Sequence, residues 1–559
     1  MTDSLKWWQT AVFYQIYPRS FADGNGDGIG DFAGITARLD YLQDLGVDAL
    51  WLSPHYPSPM RDCGYDISDY TAVAPEYGGM EDFRHFLAES HRRNMRVVLD
   101  LVLNHTADQH AWFQESRSSR DNPKRDWYVW ADGKNGGPPN NWYSTFGGSA
   151  WELDPATGQY YYHFFFKEQP DLNWRNPEVK AAMWDAVRFW LDMGVDGFRL
   201  DAVGTIFEEP DLRDQITGKT LDELYLLKRT ARSADERAEV HLLWDEMFEP
   251  QHDLPGMHEL MRELRAVVDE YSDRVLIGET DDISYYGSGR DELDLVFNFP
   301  LMRTDRITPE WARQNQALRL AALPPDAWPC NTLGNHDSPR MYSHFGDGRH
   351  NLEIARLNTA LLLTLKGTPV LYNGEEIGMS DYFIPDVNLF RDPLGTRTFQ
   401  LETELLQSPP ELALVLATLD GRDKCRTPFQ WKNAHNAGFC PEGVEPWLPV
   451  NPDYINGINL EDQAADPDSL FAYFRNILRM RRANPALISG DYELLEPEHP
   501  ACLVFRRVSP EQVCIVALNF TADPQKVDLP QPARLVFSTH PGQHPRAELA
   551  PFEARVVEL

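Results

Sequence analysis

Residues 177–202 read PEVKAAMWDAVRFWLDMGVDGFRLDA, and this stretch decides the fold. Pro177 opens a helix whose apolar positions Met183, Val187, Trp190 and Leu191 recur at helical spacing, and Gly194 stops it. The chain then runs straight into an apolar strand, Val195–Ala202. A helix feeding a buried strand is the repeating unit of a parallel sheet. Upstream the same unit predicts strands at Ala11–Tyr17, Val47–Leu52 and Arg96–Leu103, with helices over Asp31–Leu45 and Met80–Asn94 between them. Downstream, strands are predicted at Arg274–Gly278, Asp294–Phe299, Trp328–Gly334 and Thr368–Tyr372. Eight is the number that closes a (β/α)8 barrel, and the fold class read here is α/β.

Two interruptions and one appendage complete the organisation. Residues 106–174, rich in Trp, Gly, Pro and Asn, lack barrel periodicity and read as a subdomain inserted after strand three. Residues 1–105 and 175–487 make the barrel, with a loop-rich excursion at about 375–450. From 488 to 559 alternating runs such as Cys502–Val508 and Val513–Phe520 predict an antiparallel β-sandwich. Glu375-Glu376, just past strand eight, reads as a solvated loop pair.

Composition narrows the function. With 52 Lys+Arg against 86 Asp+Glu, the net charge of −34 repels polyanions, so neither nucleic acid nor an anionic membrane is expected as a partner. A chain beginning MTDSLKWW has no basic stretch followed by an apolar one, so a cytoplasmic protein is expected, monomeric or a small homo-oligomer. Six cysteines scattered over 559 residues predict reduced thiols.

The active site of a βα barrel lies at the carboxyl ends of its strands. There the sequence places Asp100-Leu-Val-Leu-Asn104-His105, Arg199-Leu-Asp201, Glu279, and Asn335-His336-Asp337. Arg199 and Asp201 are two apart on a strand and project together, so the guanidinium favours an ionised Asp201, suited to nucleophilic attack. Glu279, on the next strand and close to another carboxylate, is expected to have its pKa raised and to carry a transferable proton. Two carboxyls with split roles are what glycoside cleavage requires.

These motifs, with Gln169-Pro-Asp-Leu-Asn173, resemble the α-amylase superfamily of glycoside hydrolases. Tyr14-Gln-Ile-Tyr-Pro-Arg-Ser-Phe21, Cys63-Gly-Tyr-Asp-Ile-Ser-Asp-Tyr70, Arg426-Thr-Pro-Phe-Gln-Trp431 and Glu445-Pro-Trp-Leu-Pro-Val-Asn451 look like its α-glucosidase and oligo-1,6-glucosidase branch. The resemblance implies Asp201 as nucleophile, Glu279 as general acid/base and Asp337 as the third carboxylate. It implies that His105, Arg199 and His336 bond sugar hydroxyls or the nucleophile, and that Asp62 and Arg426 clamp a terminal glucose on a Tyr65 platform. Phe146 and Phe165 would line the pocket walls, while Asp100 braces Arg199.

A small α-glucoside or oligosaccharide is the implied substrate, cleaved from its end with retention, or transferred to an acceptor hydroxyl. Ala202, after the nucleophile, favours α-1,4 over α-1,6 linkages, since 1,6-selective members tend to carry Val there. Sucrose isomerases of this branch carry an Arg-Leu-Asp-Arg run, and none occurs in the chain. In Asp23-Gly-Asn25-Gly-Asp27-Gly-Ile29-Gly-Asp31 oxygen ligands alternate with glycines, a pattern suited to a hard cation. The family carries Ca²⁺ or Mg²⁺ here, with Ile29 giving its carbonyl, in a structural role. No organic cofactor is expected.

Overall fold

The computed structural model describes residues 5–530, 533–540 and 547–559. Residues 1–4, and residues 531–532 and 541–546 of the expected sandwich, lie outside the described residues. Eight short strands form one parallel sheet: β1 Phe13–Ile16, β2 Ala49–Leu52, β3 Arg96–Val102, β4 Gly197–Asp201, β5 Val275–Gly278, β6 Leu295–Val296, β7 Cys330–Thr332 and β8 Thr368–Tyr372. Their order is β7-β8-β1-β2-β3-β4-β5-β6. A parallel bridge from Phe297 to Cys330 joins the two ends, so the sheet is the expected barrel. Each strand lies within its predicted range.

Alternation along the strands divides the core. Trp51, Val98, Ile277, Phe297 and Val370 pack inside the barrel, while Leu50, Leu52, Val97, Leu99 and Leu276 turn outward to the helices. Each such fully buried side chain contributes roughly 2–3 kcal/mol of apolar transfer energy.

The helices follow their sequence signals with one exception. Asp31 caps a helix by accepting the Gly34 N–H at 2.7 Å, but the expected Asp31–Leu45 helix is two, α1 Phe32–Ala37 and α2 Leu39–Leu45. Between them Arg38 (φ −106°, ψ 4°) leaves helical geometry, and its guanidinium stacks 4.0 Å over the Trp431 ring. Helix α3 spans Met80–Arg92. Helix α4, Pro177–Met193, is capped by the Asn176 side chain and ends at Gly194 in the left-handed region (φ 107°).

The inserted segment folds around a three-stranded antiparallel sheet of Trp130–Ala131, Gln159–Tyr162 and Trp151–Asp154. Its Trp142, Trp151, Tyr162 and Phe164 share a core with Leu221, Leu224, Met247 and Phe248 from an arm that follows β4. That arm contains helix α5, Ala234–Phe248.

The C-terminal region begins its five-stranded antiparallel sheet at Asp491, and a two-stranded sheet packs on it through Val504, Ile515, Val527 and Leu549. Buried Arg507 donates to the carbonyls of Thr364 (2.6 Å) and Leu365 (2.7 Å), tying this sheet to the barrel. All six cysteines are buried and unpaired. Among the described residues no helix is long and apolar enough to cross a membrane.

Candidate active site

Strand register assembles the charges. Asp100 on β3 lies opposite Arg199 on β4, and Val102 opposite Asp201. Arg199 is completely buried; its Nη1 is 2.5 Å from Asp100 Oδ1 and 2.8 Å from Asp201 Oδ1, while Nη2 is 2.8 Å from Glu279 Oε2. Glu279, the residue after β5, also accepts the Ala202 N–H at 2.9 Å. One guanidinium thus gathers three carboxylates, leaving an anionic cluster that suits a developing cation. Asp100 braces Arg199 as expected and takes further bonds from Tyr65 Oη (3.0 Å) and Trp51 Nε1 (3.2 Å). Burial, opposed by Arg199, pushes its pKa up to about 6.

One electrostatic expectation changes. Burial and the facing Glu279 carboxylate push the Asp201 carboxyl well above the ordinary aspartate range, and Arg199 only partly pulls it back. Asp201 sits deeper than Glu279, its side chain 11% against 21% exposed.

Asp337 follows β7. Burial alone would raise its pKa, but His336, Arg426 and Arg422 hold it well below the carboxylate range. Burial keeps His336 neutral near pH 7, so the arginines carry this effect there. Gln15 Nε2 lies 2.7 Å from His336 Nδ1 and Tyr65 Oη 2.5 Å from Nε2. With Gln15 donating, His336 Nε2–H donates to Tyr65, whose hydroxyl donates to Asp100. His105 is likewise neutral, its pKa lowered to about 3 by burial. Gln169 Nε2 donates to Asp62 (3.0 Å) and lies 2.8 Å from His105 Nε2.

A cavity of about 640 Å³ opens over this cluster, within the range of small-molecule sites. Asp201, Glu279, Asp337, Asp62, Tyr65, His105, Phe146 and Phe165 line it. Arg199, His336 and Arg426 lie behind its floor, each 0% exposed, and so bond the lining carboxylates and Tyr65 rather than the cavity.

For Arg426 this is a correction: its Nη2 pairs with Asp337 and its Nε donates to the His336 carbonyl at 2.9 Å. The cation beside Asp62 is Arg422, with Nη2 2.6 Å from Asp62 Oδ1, 2.8 Å from Asp392 Oδ1, and Nη1 3.6 Å from Asp337. Both arginines flank the turn Asp423–Cys425, which sends one side chain to the cavity and the other behind it. A loop has no periodicity from which to read that choice.

At the mouth, Trp244 and Asp245 of α5 also line the cavity, as does Arg303. Arg303 begins Arg303-Thr304-Asp305-Arg306, which differs by one residue from the isomerase run. Glu375 and Glu376, expected in solvent, are 3% and 1% exposed. Glu376 accepts from the hydroxyls of Tyr14 (2.6 Å) and Tyr41.

The first βα loop offers only hard oxygens. Asp23 accepts the N–H groups of Gly26 (2.6 Å) and Gly28 (2.8 Å), and Asp31 those of Gly24 (3.1 Å) and Asn25 (2.9 Å). Among the described residues no three His, Cys, Asp or Glu side chains are gathered to hold a metal. Asn25 Oδ1 accepts the Asp27 N–H and Asp27 Oδ1 the Ile29 N–H, both at 2.9 Å, so the loop is closed by its own hydrogen bonds, and its donors are the hard oxygens that Ca²⁺ or Mg²⁺ takes.

A βα barrel whose strand ends gather three carboxylates over a sugar-sized cavity defines a glycoside hydrolase. Residues 15–490 match the family model for the α-amylase catalytic domain. The chain is 39% identical to the oligo-1,6-glucosidase of Parageobacillus thermoglucosidasius over 99% of both chains. It is 41% identical to a probable α-glucosidase of Rhizobium meliloti over 88% of this chain and 85% of that one. The crystal structure of the trehalulose synthase MutB from Pseudomonas mesoacidophila MX-45 superposes with a TM-score of 0.88 at 38% identity, covering 99% of this chain and 100% of that one. The chain belongs to the α-amylase family of glycoside hydrolases, in its α-glucosidase branch.

Proposed function

We propose that the protein is an exo-acting α-glucosidase that removes terminal α-linked glucose from short oligosaccharides and α-glucosides with retention of configuration. The observation that carries this reading is the Asp62–Arg422 pair beside Asp337, a charged group suited to a terminal sugar's hydroxyls in the same cavity as Asp201 and Glu279.

The terminal glucose enters with its hydroxyls toward Asp62, Arg422 and Asp337, on the face of Tyr65. Entry of the substrate and proton transfer within the pair leave Asp201 ionised and Glu279 protonated. The Asp201 oxygen attacks the anomeric carbon as the glycosidic bond breaks, and Glu279 gives its proton to the departing oxygen. Asp201, Glu279 and Asp337 face the oxocarbenium-like transition state with negative charge. Glu279 then takes a proton from water, which displaces Asp201 and releases α-glucose. Colour release from 4-nitrophenyl α-glucoside, with α-glucose as first product by NMR, tests this; β-glucose as first product would overturn it.

Ala202 leaves room beside the nucleophile and favours α-1,4 cleavage, whereas the names of several relatives point to α-1,6; kcat/KM on maltose against isomaltose decides. Glucosyl transfer is the second reading, since an acceptor hydroxyl can take the place of water at the same intermediate. Excess glucose as acceptor then yields disaccharides. In the loop 23–31 we propose a structural Ca²⁺ or Mg²⁺, held by Asp23, Asn25, Asp27, Ile29 and Asp31 and remote from the reaction.

A further inference from the structure

Among the described residues one further side chain at the cavity has a ring nitrogen without a protein partner. His252 follows the turn Glu249–Gln251 that ends the α5 arm, and it lines the cavity with its side chain 48% exposed. Its Nδ1 is 2.7 Å from Asp253 Oδ2, and Asp253 Oδ1 accepts the Tyr285 hydroxyl at 2.8 Å. That chain fixes which ring nitrogen is held by protein, and among the described residues Nε2 has no partner.

The loop bearing this chain is locked to the nucleophile's own loop. The Asp253 N–H donates to the Gly204 carbonyl at 2.7 Å, from a left-handed backbone (φ 51°) that a non-glycine residue adopts only when its surroundings hold it there. The imidazole packs against Gly204 so closely that a Cβ there would lie 2.7 Å from Cε1 and 2.8 Å from Nε2. Gly204 is three residues beyond Asp201 and two beyond Ala202, whose N–H holds Glu279. His252 therefore lines the cavity packed against the loop that carries Asp201 and Ala202. Trp244, 37% exposed, lines the same cavity and offers it an aromatic face.

We infer that His252 is the hydrogen-bonding residue for the second sugar, the group that leaves from or attacks the glucosyl carbon, and that Asp253 and Tyr285 position it. The inference rests on the α-glucosidase reading and deepens it. Burial draws the His252 pKa down, but Asp253, Asp245 and Asp282 outweigh it and raise it, so Nε2 keeps its proton as a donor to higher pH. An imidazole and an indole lining one cavity suit a sugar ring, which has apolar C–H groups on its faces and hydroxyls at its edge.

The test uses full-length enzyme with His252→Ala, His252→Gln and Asp253→Asn. Each is assayed on the faster-cleaved of maltose and isomaltose, and on α-glucosyl fluoride, whose single-atom leaving group reaches nothing beyond Glu279. His252→Ala should lose about ten- to a hundredfold in kcat/KM on the disaccharide, as for a lost hydrogen bond to a charged group, and stay within about threefold on the fluoride. His252→Gln, which restores a donor, should recover part of the loss, and Asp253→Asn should lose in the same direction. Equal losses on both substrates would make His252 a structural residue and overturn the inference, as would an unchanged disaccharide rate. Wild-type enzyme that leaves α-glucosyl fluoride intact would instead remove the α-glucosidase reading itself.

Discussion

Replacing Glu375 by Gln should stabilise the protein increasingly as pH rises. The carboxyl is 3% exposed and neither oxygen finds a well-aligned donor. Burial raises its pKa from 4.5 to about 8, opposed by a hydrogen bond from the Tyr372 backbone and by Arg340 and reinforced by Glu376. A group raised in the folded state contributes stability that is complete below its unfolded pKa and is lost as pH climbs to the folded one. At about 1.4 kcal/mol per pH unit, wild type forfeits on the order of 3–5 kcal/mol between pH 4.5 and pH 8. Gln keeps the shape of the protonated acid and forfeits none of it. The Tm of Glu375→Gln should match wild type within about a degree at pH 4.5 and exceed it by several degrees at pH 8. An offset equal at both pH values would refute the reasoning, because a packing effect does not titrate.

Three further outcomes follow from the site. Arg422→Lys keeps the charge beside Asp62 but loses the fork that also reaches Asp392, so kcat/KM on maltose should fall ten- to a hundredfold, mostly through KM. Ala202 has φ 45°, a conformation that a β-branched residue resists; Ala202→Val should lower stability by about 1–3 kcal/mol, read as a Tm drop, and lower the ratio of maltose to isomaltose cleavage. Chelation with EDTA should lower Tm and leave the initial rate at 25 °C nearly unchanged, because the 23–31 loop lies outside the cavity; an unchanged Tm would remove the proposed ion.

What the sequence made legible was whatever periodicity or strand position encodes. All eight strands fall inside their predicted ranges because apolar runs and glycine stops mark them locally, and Asp201, Glu279, Asp337 and His105 line the cavity because strand ends aim them, whereas Asp62, Tyr65, Phe146 and Phe165 were read from motif resemblance. Side chains on loops were not legible in this way. Arg422 and Arg426 are four residues apart, and only the fold of the Asp423–Cys425 turn decides which meets Asp62. The Glu375 and Glu376 carboxyls are buried by elements remote in sequence, Tyr14 and Tyr41 among them. Helix α1 breaks at Arg38, whose guanidinium lies over Trp431, almost four hundred residues later, a contact no local pattern announces. The α5 arm carries too weak an amphipathic pattern to announce that it overhangs the site.

Covalent capture is the most direct measurement of the central claim. Incubation with 5-fluoro-α-glucosyl fluoride, which slows breakdown of the glycosyl-enzyme, followed by proteolysis and mass spectrometry, should find one fluoroglucosyl unit on the peptide containing Asp201, and none in Asp201→Asn. A label on Glu279, or full turnover by Asp201→Asn, would contradict the account.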